Sequence, residues 1–130
     1  ILFLTSYHIK FITIFKYCYI LLYIMNQKID INKFRAKIFK ALSDPIRLEI
    51  INLLRKKEWC TCDLIPYLNI VQPLVSRHLK ILKDCGLIID RKEGNKRIYS
   101  ITDKRILKVI DTLSPELIKS ISKHIVKQII

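Results

Sequence analysis

Residues 71–83 constrain the fold most strongly, because their apolar and polar side chains alternate with a helical period. Val75, Leu79 and Leu82 recur at i, i+4 and i+7, which places them on one face of a helix. Pro73 suits a first helical turn and Gly86 a helix stop. The other face carries Gln72, Ser76, Arg77, Lys80 and Lys83. We predict a helix that docks by its apolar face and presents hydrogen-bond donors outward.

These donors have two interpretations. They suit phosphate oxygens and base edges in a DNA major groove, or they form a solvated face that only confers solubility. The charge of the whole chain favours the first, because 24 basic and 11 acidic residues give a net charge of +13. This balance is typical of proteins with nucleic-acid or anionic-surface partners.

The segments before residue 71 predict three further helices. Apolar residues recur at helical spacing over 31–42, and Asp44 with Pro45 forms the cap and first turn of a second helix that ends near 55–57. Residues 61–68 predict a short third helix, with a tight connection at 69–71. Two short helices so joined, the second carrying polar donors, indicate a helix-turn-helix.

After Gly86 the pattern changes to that of strands, predicted at 87–89 and 98–101. Gly94 and Asn95 between them suit the positive φ angles of a hairpin turn. The hairpin tip is expected to carry four basic side chains: Arg91, Lys92, Lys96 and Arg97. A basic hairpin after a helix-turn-helix is a wing that reaches the phosphate backbone or minor groove. An ordinary charged hairpin is the alternative.

The C-terminal residues predict two more helices, over 103–113 and after Ser114-Pro115. The last has one apolar stripe: Leu117, Ile121, Ile125 and Ile129. The terminal helices hold more apolar surface than a domain of this size buries internally, so we expect a symmetric dimer that pairs them. The predicted fold is mainly α with a small β-hairpin wing, a winged helix-turn-helix dimerising through its terminal helices.

Residues 1–24 differ from the rest, because eighteen of them are apolar and their only charges are Lys10 and Lys16. A membrane anchor needs about 20 mostly apolar residues, and the two lysines interrupt the run. A signal peptide needs basic residues first and a small-residue cleavage site. We favour an over-extended or non-native start, with translation from Met25 and a DNA-binding domain at 25–130. No membrane contact is expected unless 1–24 are native.

Four motifs in order resemble the ArsR/SmtB family of winged-helix metalloregulatory repressors. They are ALSDPIRL (41–48), WCTCDL (59–64), QPLVSRHLK (72–80) and GLI with RKEG (86–88 and 91–94). The resemblance covers roughly residues 30–101. It implies a cytoplasmic homodimer that represses metal-resistance or metal-homeostasis operons and leaves its double-stranded DNA operator when metal binds. The DNA contacts are expected from Gln72, Ser76, Arg77, His78, Lys80, Arg91, Lys92, Lys96 and Arg97.

Cys60 and Cys62 lie in a segment that resembles the Cys-Val-Cys-Asp-Leu box of the family's arsenic- and cadmium-sensing branches. Thiolates are soft ligands that select thiophilic ions over Mg²⁺ or Ca²⁺. Residues i and i+2 share a side of an extended chain but lie about 200° apart on a helix. Both sulfurs therefore reach one ion only if the third helix starts extended or unwinds. Two small buried core cysteines are the alternative.

The expected inducer is As(III) or Sb(III), held by Cys60 and Cys62 with an exogenous or unknown third ligand; Cd(II) is a further candidate, and no cofactor is obligatory. Ile65 stands where some arsenic sensors carry a third cysteine. Cys18 is the only thiol of the N-terminal segment, and Cys85 is expected to pack. His8, His78 and His124 are not spaced as a metal cluster.

Two other functions compete with metal release. One is a redox switch, in which Cys60 pairs with Cys62, or one of them with Cys85; the other is a winged-helix interaction module that senses nothing. An enzyme is not expected, because the chain has no Ser-His-Asp or His-Glu-x-x-His arrangement and no glycine-rich phosphate loop.

Overall fold

The structure, a computed structural model, describes residues 30–129, so the expectations for 1–24 and for a start at Met25 lie outside it. The chain divides into two units, residues 1–34 and 35–130, and the architecture below is that of the second. The elements in order are α1 (Ile31–Leu42), α2 (Pro45–Lys56), β1 (Trp59–Cys60), α3 (Thr61–Leu68), α4 (Gln72–Asp84), β2 (Ile88–Glu93), β3 (Lys96–Ile101), α5 (Arg105–Thr112) and α6 (Pro115–Ile129). Among residues 30–129, no helix is long and apolar enough to cross a membrane.

Local signals explain where the central helices begin and end. The Asp44 carboxylate accepts the N–H groups of Ile46 and Arg47 at 2.9 and 3.0 Å, which caps α2 as predicted. Helix α3 ends at Asn69, which takes a left-handed conformation with φ of 52°. Gly86 follows α4 with φ of +74°, so the chain turns without the steric cost of a side chain.

Helices α3 and α4 form the predicted helix-turn-helix, and their apolar faces join one core. Leu64 of α3 and Val75 and Leu82 of α4 are fully buried, together with Ile50 and Ile51 of α2. Burying a side chain of this size stabilises the fold by about 1.5–3 kcal/mol. The core therefore fixes α4 with its apolar face inward and its donors outward.

The strands form a three-stranded antiparallel sheet in the order β1-β3-β2. Strands β2 and β3 are longer than predicted, because pairing continues to Glu93 and Lys96 and leaves only Gly94 and Asn95 for the turn. Of these two only Gly94 has a positive φ, 59°. The four basic residues expected at the tip therefore lie on the strands. We call β2, β3 and their turn the wing.

Strand β1 was not predicted from the sequence, and it joins the cysteine segment to the wing. Trp59 pairs with Tyr99, and Cys60 pairs with Ile98 of β3. Two residues carry no periodic pattern, so their strand conformation depends on the partner that the fold brings beside them. The result is that the first cysteine is fixed in the same sheet as the wing.

Candidate DNA-binding surface and thiol site

Four of the predicted contacts on α4 are exposed: Gln72, Ser76, Arg77 and Lys80. The Nζ of Lys80 lies 2.9 Å from the carboxylate of Asp84, one turn along the helix. Arg77 makes no ion pair with any residue in the range 30–129. Of Arg77 and Lys80, Arg77 is therefore the one whose charged group can contact a base edge or a phosphate without leaving a carboxylate.

His78 differs from the other predicted DNA contacts on α4, because its side chain is only 12% exposed. Its Nδ1 lies 3.8 Å from a carboxylate oxygen of Asp44 and has no hydrogen-bond partner among the described residues. The hydrogen bond from the N–H of Arg47 is the main cause that lowers the pKa of Asp44, and His78 contributes. His78 thus belongs with the residues that support α4 against α2.

The basic residues of the wing fall into two groups. Arg91 donates to both carboxylate oxygens of Glu58, at 2.6 and 2.7 Å, and Arg97 pairs with Asp90. Lys92 and Lys96 are exposed and make no ion pair within the part of the chain that the structure covers. The two lysines are therefore the wing cations that can approach DNA without first leaving a carboxylate.

Asp90 of the wing pairs with Lys83 of α4 and with Arg97 of β3, and the first pair links the wing to α4. Its carboxylate is only 6% exposed, lies 2.5 Å from the Nζ of Lys83 and also accepts from Arg97. The hydrogen bonds from Lys83 and then Arg97 lower the pKa of Asp90. The carboxylate therefore stays ionised at neutral pH and can keep both cations as partners.

Asp90→Asn should lower the free energy of unfolding by about 1–2 kcal/mol at pH 7, near the lower end of the roughly 1.5–3 kcal/mol for a hydrogen bond to a charged group. The lower part of the range for such bonds applies because Lys83 and Arg97 remain 47% and 58% exposed. Since folding lowers the pKa of Asp90, its contribution is complete above the unfolded pKa of about 3.9 and is lost as pH falls through the folded value. Urea unfolding at pH 7 and pH 3 measures this difference.

Asp84→Asn is the matched control for that experiment, since it removes a carboxylate with one exposed lysine partner and should change stability little. A variant Asp90→Asn as stable as the parent protein at pH 7 would contradict the role given to Asp90.

Cys60 and Cys62 lie where β1 passes into α3. Cys60 is the N-cap of α3, with φ of −87° and ψ of 160°, and Cys62 lies in the first turn. The extended start that two sulfurs at i and i+2 require is therefore present in the folded chain, and no helical turn has to unwind. The Cα atoms are 5.2 Å apart, and the two Sγ atoms are joined as a disulfide.

The surroundings of this thiol pair, Cys60 and Cys62, are unequal. Cys60 is 3% exposed and its Sγ accepts the N–H of Asp63 at 3.2 Å, whereas Cys62 and Asp63 are exposed. The core-cysteine interpretation thus fits Cys60 but does not account for Cys62. A carboxylate oxygen of Asp63 and both sulfurs lie within 4.8 Å of one another, a third donor that the spacing of cysteines alone did not identify.

Two other residues near the pair have defined environments. The Trp59 Nε1 donates to the carbonyl of Leu53 at 3.2 Å, and its ring meets the edge of Tyr67 at 5.3 Å between centroids. Because Trp59 adjoins Cys60, its fluorescence can report events there. Cys85 is half-buried against the core and is not part of the donor cluster found in residues 30–129.

Residues 44–90 match the family model described as "Bacterial regulatory protein, arsR family". An uncharacterized HTH-type transcriptional regulator of Methanocaldococcus jannaschii is 45% identical over 60% of this chain and 92% of its own length. This chain belongs to the arsR family. The arsenical resistance operon repressor of Staphylococcus aureus is 42% identical over 61% of this chain and 76% of its own length.

Other matches place the arsR-family chain among related regulators. A probable mercury resistance operon repressor of Streptomyces lividans is 36% identical over 58% of this chain and 56% of its own length. The crystal structure of Rv0081 from M. tuberculosis has a TM-score of 0.63 at 26% identity, covering 74% of this chain and 97% of the other. A Mycobacterium bovis domain described as a winged helix-turn-helix has a TM-score of 0.65 at 24% identity, covering 73% of this chain and 91% of the other. The ArsR/SmtB resemblance and the winged-helix fold are thus confirmed, and the arsR-family chain is a DNA-binding transcriptional repressor.

Proposed function

We propose that this repressor leaves its operator when As(III) or Sb(III) binds Cys60 and Cys62. The observation that carries the proposal is that the sulfurs of Cys60 and Cys62 lie together, close enough to be joined as a disulfide, beside an exposed basic surface. Thiolate–metal bonds are about 2.3 Å long, so sulfurs brought this close can share one ion without a change in the course of the backbone. Within residues 30–129, the donor cluster at this site contains two sulfur ligands, Cys60 and Cys62.

The ligand atoms available at this site favour some of the candidate inducers over others. Two thiolates favour soft ions, whereas the Asp63 oxygen is a harder donor that suits Cd(II) or Zn(II) better than As(III). Two relatives are named for arsenical and for mercury resistance. Both names agree with a thiophilic inducer, but they do not distinguish arsenic from mercury. We favour As(III) and Sb(III), because they need the fewest protein ligands beyond the pair.

In the DNA-bound form, α4 lies in the major groove and the wing lies along the phosphate backbone. Gln72, Ser76 and Arg77 face outward from α4 and are placed to read base edges. Lys92 and Lys96 provide sequence-independent attraction to phosphates. A two-fold dimer then places two such helices on half-sites about one helical turn apart.

The dimer in this proposal forms through the terminal helices. Helix α6 exposes an apolar stripe that includes Leu117, Ile121 and Ile125, and a mostly apolar groove of about 670 Å³ lies between α1, α2, α5 and α6. A second copy of the chain would cover both surfaces. The stripe residue Ile129 has no described side chain and adds nothing here.

Ile121→Glu should convert the dimer to monomer at micromolar concentration and lower operator affinity at least about 10-fold, since each monomer then holds one half-site. Ser120→Glu adds the same charge on the polar side of α6 and should change neither property. Sedimentation measures the mass, and fluorescence anisotropy measures DNA binding. A dimeric Ile121→Glu protein would contradict the proposed interface.

The disulfide supports a second candidate function, a redox switch. Joining Cys60 to Cys62 removes two protons and two electrons, and hydrogen peroxide can accept them to give two molecules of water. Adding arsenite to the fully reduced protein distinguishes the two functions. It should release DNA if the pair binds metalloid and should have no effect if the pair only senses oxidation.

The deciding experiment uses the reduced full chain and a duplex that this protein selects from a pool of randomised sequences. Arsenite, antimonite, cadmium, lead, mercury and zinc are each titrated while anisotropy reports bound DNA. Arsenite and antimonite should release the duplex at concentrations where zinc does not. Steep salt dependence of duplex binding would exclude an interaction module that binds only protein. Release by zinc alone would contradict the proposal.

A further inference from the structure

One polar pocket joins the thiol pair to the DNA-binding surface. It has a volume of about 490 Å³ and lies between α3, α4 and the wing. Cys62 forms part of its α3 wall, Gln72 and Ser76 part of its α4 wall, and Lys96 and Arg97 part of its wing wall. One proposed inducer ligand and four proposed DNA contacts thus surround the same space, which we call the wing pocket.

The chemistry of the wing pocket suits a phosphate. Two of its lining residues are cations, several are neutral donors, and none is a carboxylate. The guanidinium of Arg97 already forms an ion pair with Asp90, whereas the ammonium group of Lys96 has no ion pair within residues 30–129. Because two elements that face DNA form opposite walls, a backbone phosphate is the anion that would enter here.

Because Cys60 is buried and Cys62 is exposed, the thiol pair can be reached from the side of Cys62. The Cys60 sulfur is buried and accepts a backbone N–H, so the accessible side of the pair is at Cys62, which is exposed and lines the wing pocket. Anything held by Cys62 would therefore stand at the wall of the space that the phosphate needs.

The geometry points to direct competition: an inducer on Cys60 and Cys62 and a DNA phosphate exclude each other from the wing pocket, so that no complex holds both. This inference rests on the proposed function and specifies how release occurs. It requires no unwinding of α3, because Cys60 is already extended. It also gives Lys96 two roles, as a phosphate contact and as a wall of the inducer site.

The test measures the apparent Kd of the reduced full chain for the selected duplex at rising arsenite concentration. Exclusive binding makes the Kd rise in proportion to arsenite without a plateau, beyond about 1,000-fold, whereas allosteric coupling through a ternary complex stops at a plateau, typically about 5–150-fold. Phenylarsine oxide, whose phenyl group fills the third position on arsenic, should show the same continuous rise. A plateau with both probes would overturn the inference and leave metalloid-induced release intact.

A second measurement tests, without any metalloid, whether bound DNA fills the wing pocket. In the fully reduced chain, bound duplex should slow alkylation of the Cys62 thiol by iodoacetamide at least about 10-fold while Cys85 reacts at an unchanged rate, as followed by peptide mass spectrometry. Lys96→Ala should weaken this protection more than Lys92→Ala, because both lysines are exposed and only Lys96 lines the pocket. Equal alkylation of Cys62 with and without duplex would also overturn the inference, whereas absence of any arsenite binding would defeat the proposed function itself.

Discussion

Cys60→Ser and Cys62→Ser should each remove the response to arsenite while DNA affinity is kept. At arsenite concentrations that weaken DNA binding of the parent protein about 100-fold, within the usual range for coupled ligands, each variant should change less than about 2-fold. A serine hydroxyl cannot replace a soft thiolate. Serine is a favoured N-cap, so Cys60→Ser should keep α3 folded. Anisotropy with the selected duplex, with and without arsenite, measures both properties.

Cys85→Ser is the matched control, since it removes a thiol that packs against the core outside the donor cluster. This variant should keep DNA affinity and the full arsenite response. If the double variant at Cys60 and Cys62 still left DNA when arsenite was added, the sensing site would have to lie elsewhere in the chain.

Arg77→Ala should weaken operator binding by about 1–3 kcal/mol and blur the base preference at one position, as expected for a side chain that reads a base edge. Arg77 is exposed on α4 and, within residues 30–129, is held by no carboxylate. Lys92→Ala should instead weaken all sequences alike and flatten the salt slope by about 1. Binding to the operator and to single-base variants of it, at several salt concentrations, separates these effects.

The assignment of roles would be wrong if the wing variant changed base preference and the Arg77 variant did not. Lys80→Ala adds a useful comparison on the same helix, because Lys80 is engaged by Asp84. Its effect should be smaller than that of Arg77→Ala.

Local signals were sufficient to predict most helices. Asp44 and Pro45 start α2 as expected, and α3 spans the predicted residues 61–68. Gly86 ends α4 with a positive φ. In each case the information lies within a few residues: a cap, a proline, a glycine or an apolar period. The fold class could be predicted because these signals agree with one another.

Features that depend on residues distant in sequence could not be predicted. Strand β1 exists because Cys60 meets Ile98 across 38 positions of the chain. Arg97 pairs with Asp90 and Arg91 pairs with Glu58, and these carboxylate partners of two predicted DNA contacts could not be inferred from spacing. His78 lies beside the apolar face in a helical count, but its contact with Asp44 of another element depends on how the helices pack.

The thiol site was predictable in part. Thiolate chemistry and the i, i+2 spacing identified Cys60 and Cys62 and required an extended start to α3, which Cys60 has. The nearby carboxylate of Asp63 and the wing pocket depend on how α3, α4 and the wing pack together. No spacing within the sequence reports that arrangement, so the pocket shared by the thiol pair and the proposed DNA contacts could be found only in the folded chain.

One titration tests the central claim most directly: arsenite is added to the reduced full chain on its selected duplex, while anisotropy follows DNA and Trp59 fluorescence follows the thiol pair. Trp59 is the single tryptophan of the chain and adjoins Cys60. We predict that both signals change over the same concentration range and reach completion near one arsenite per chain. Completion of the Trp59 change while the duplex stays bound would contradict the claim that Cys60 and Cys62 control DNA release.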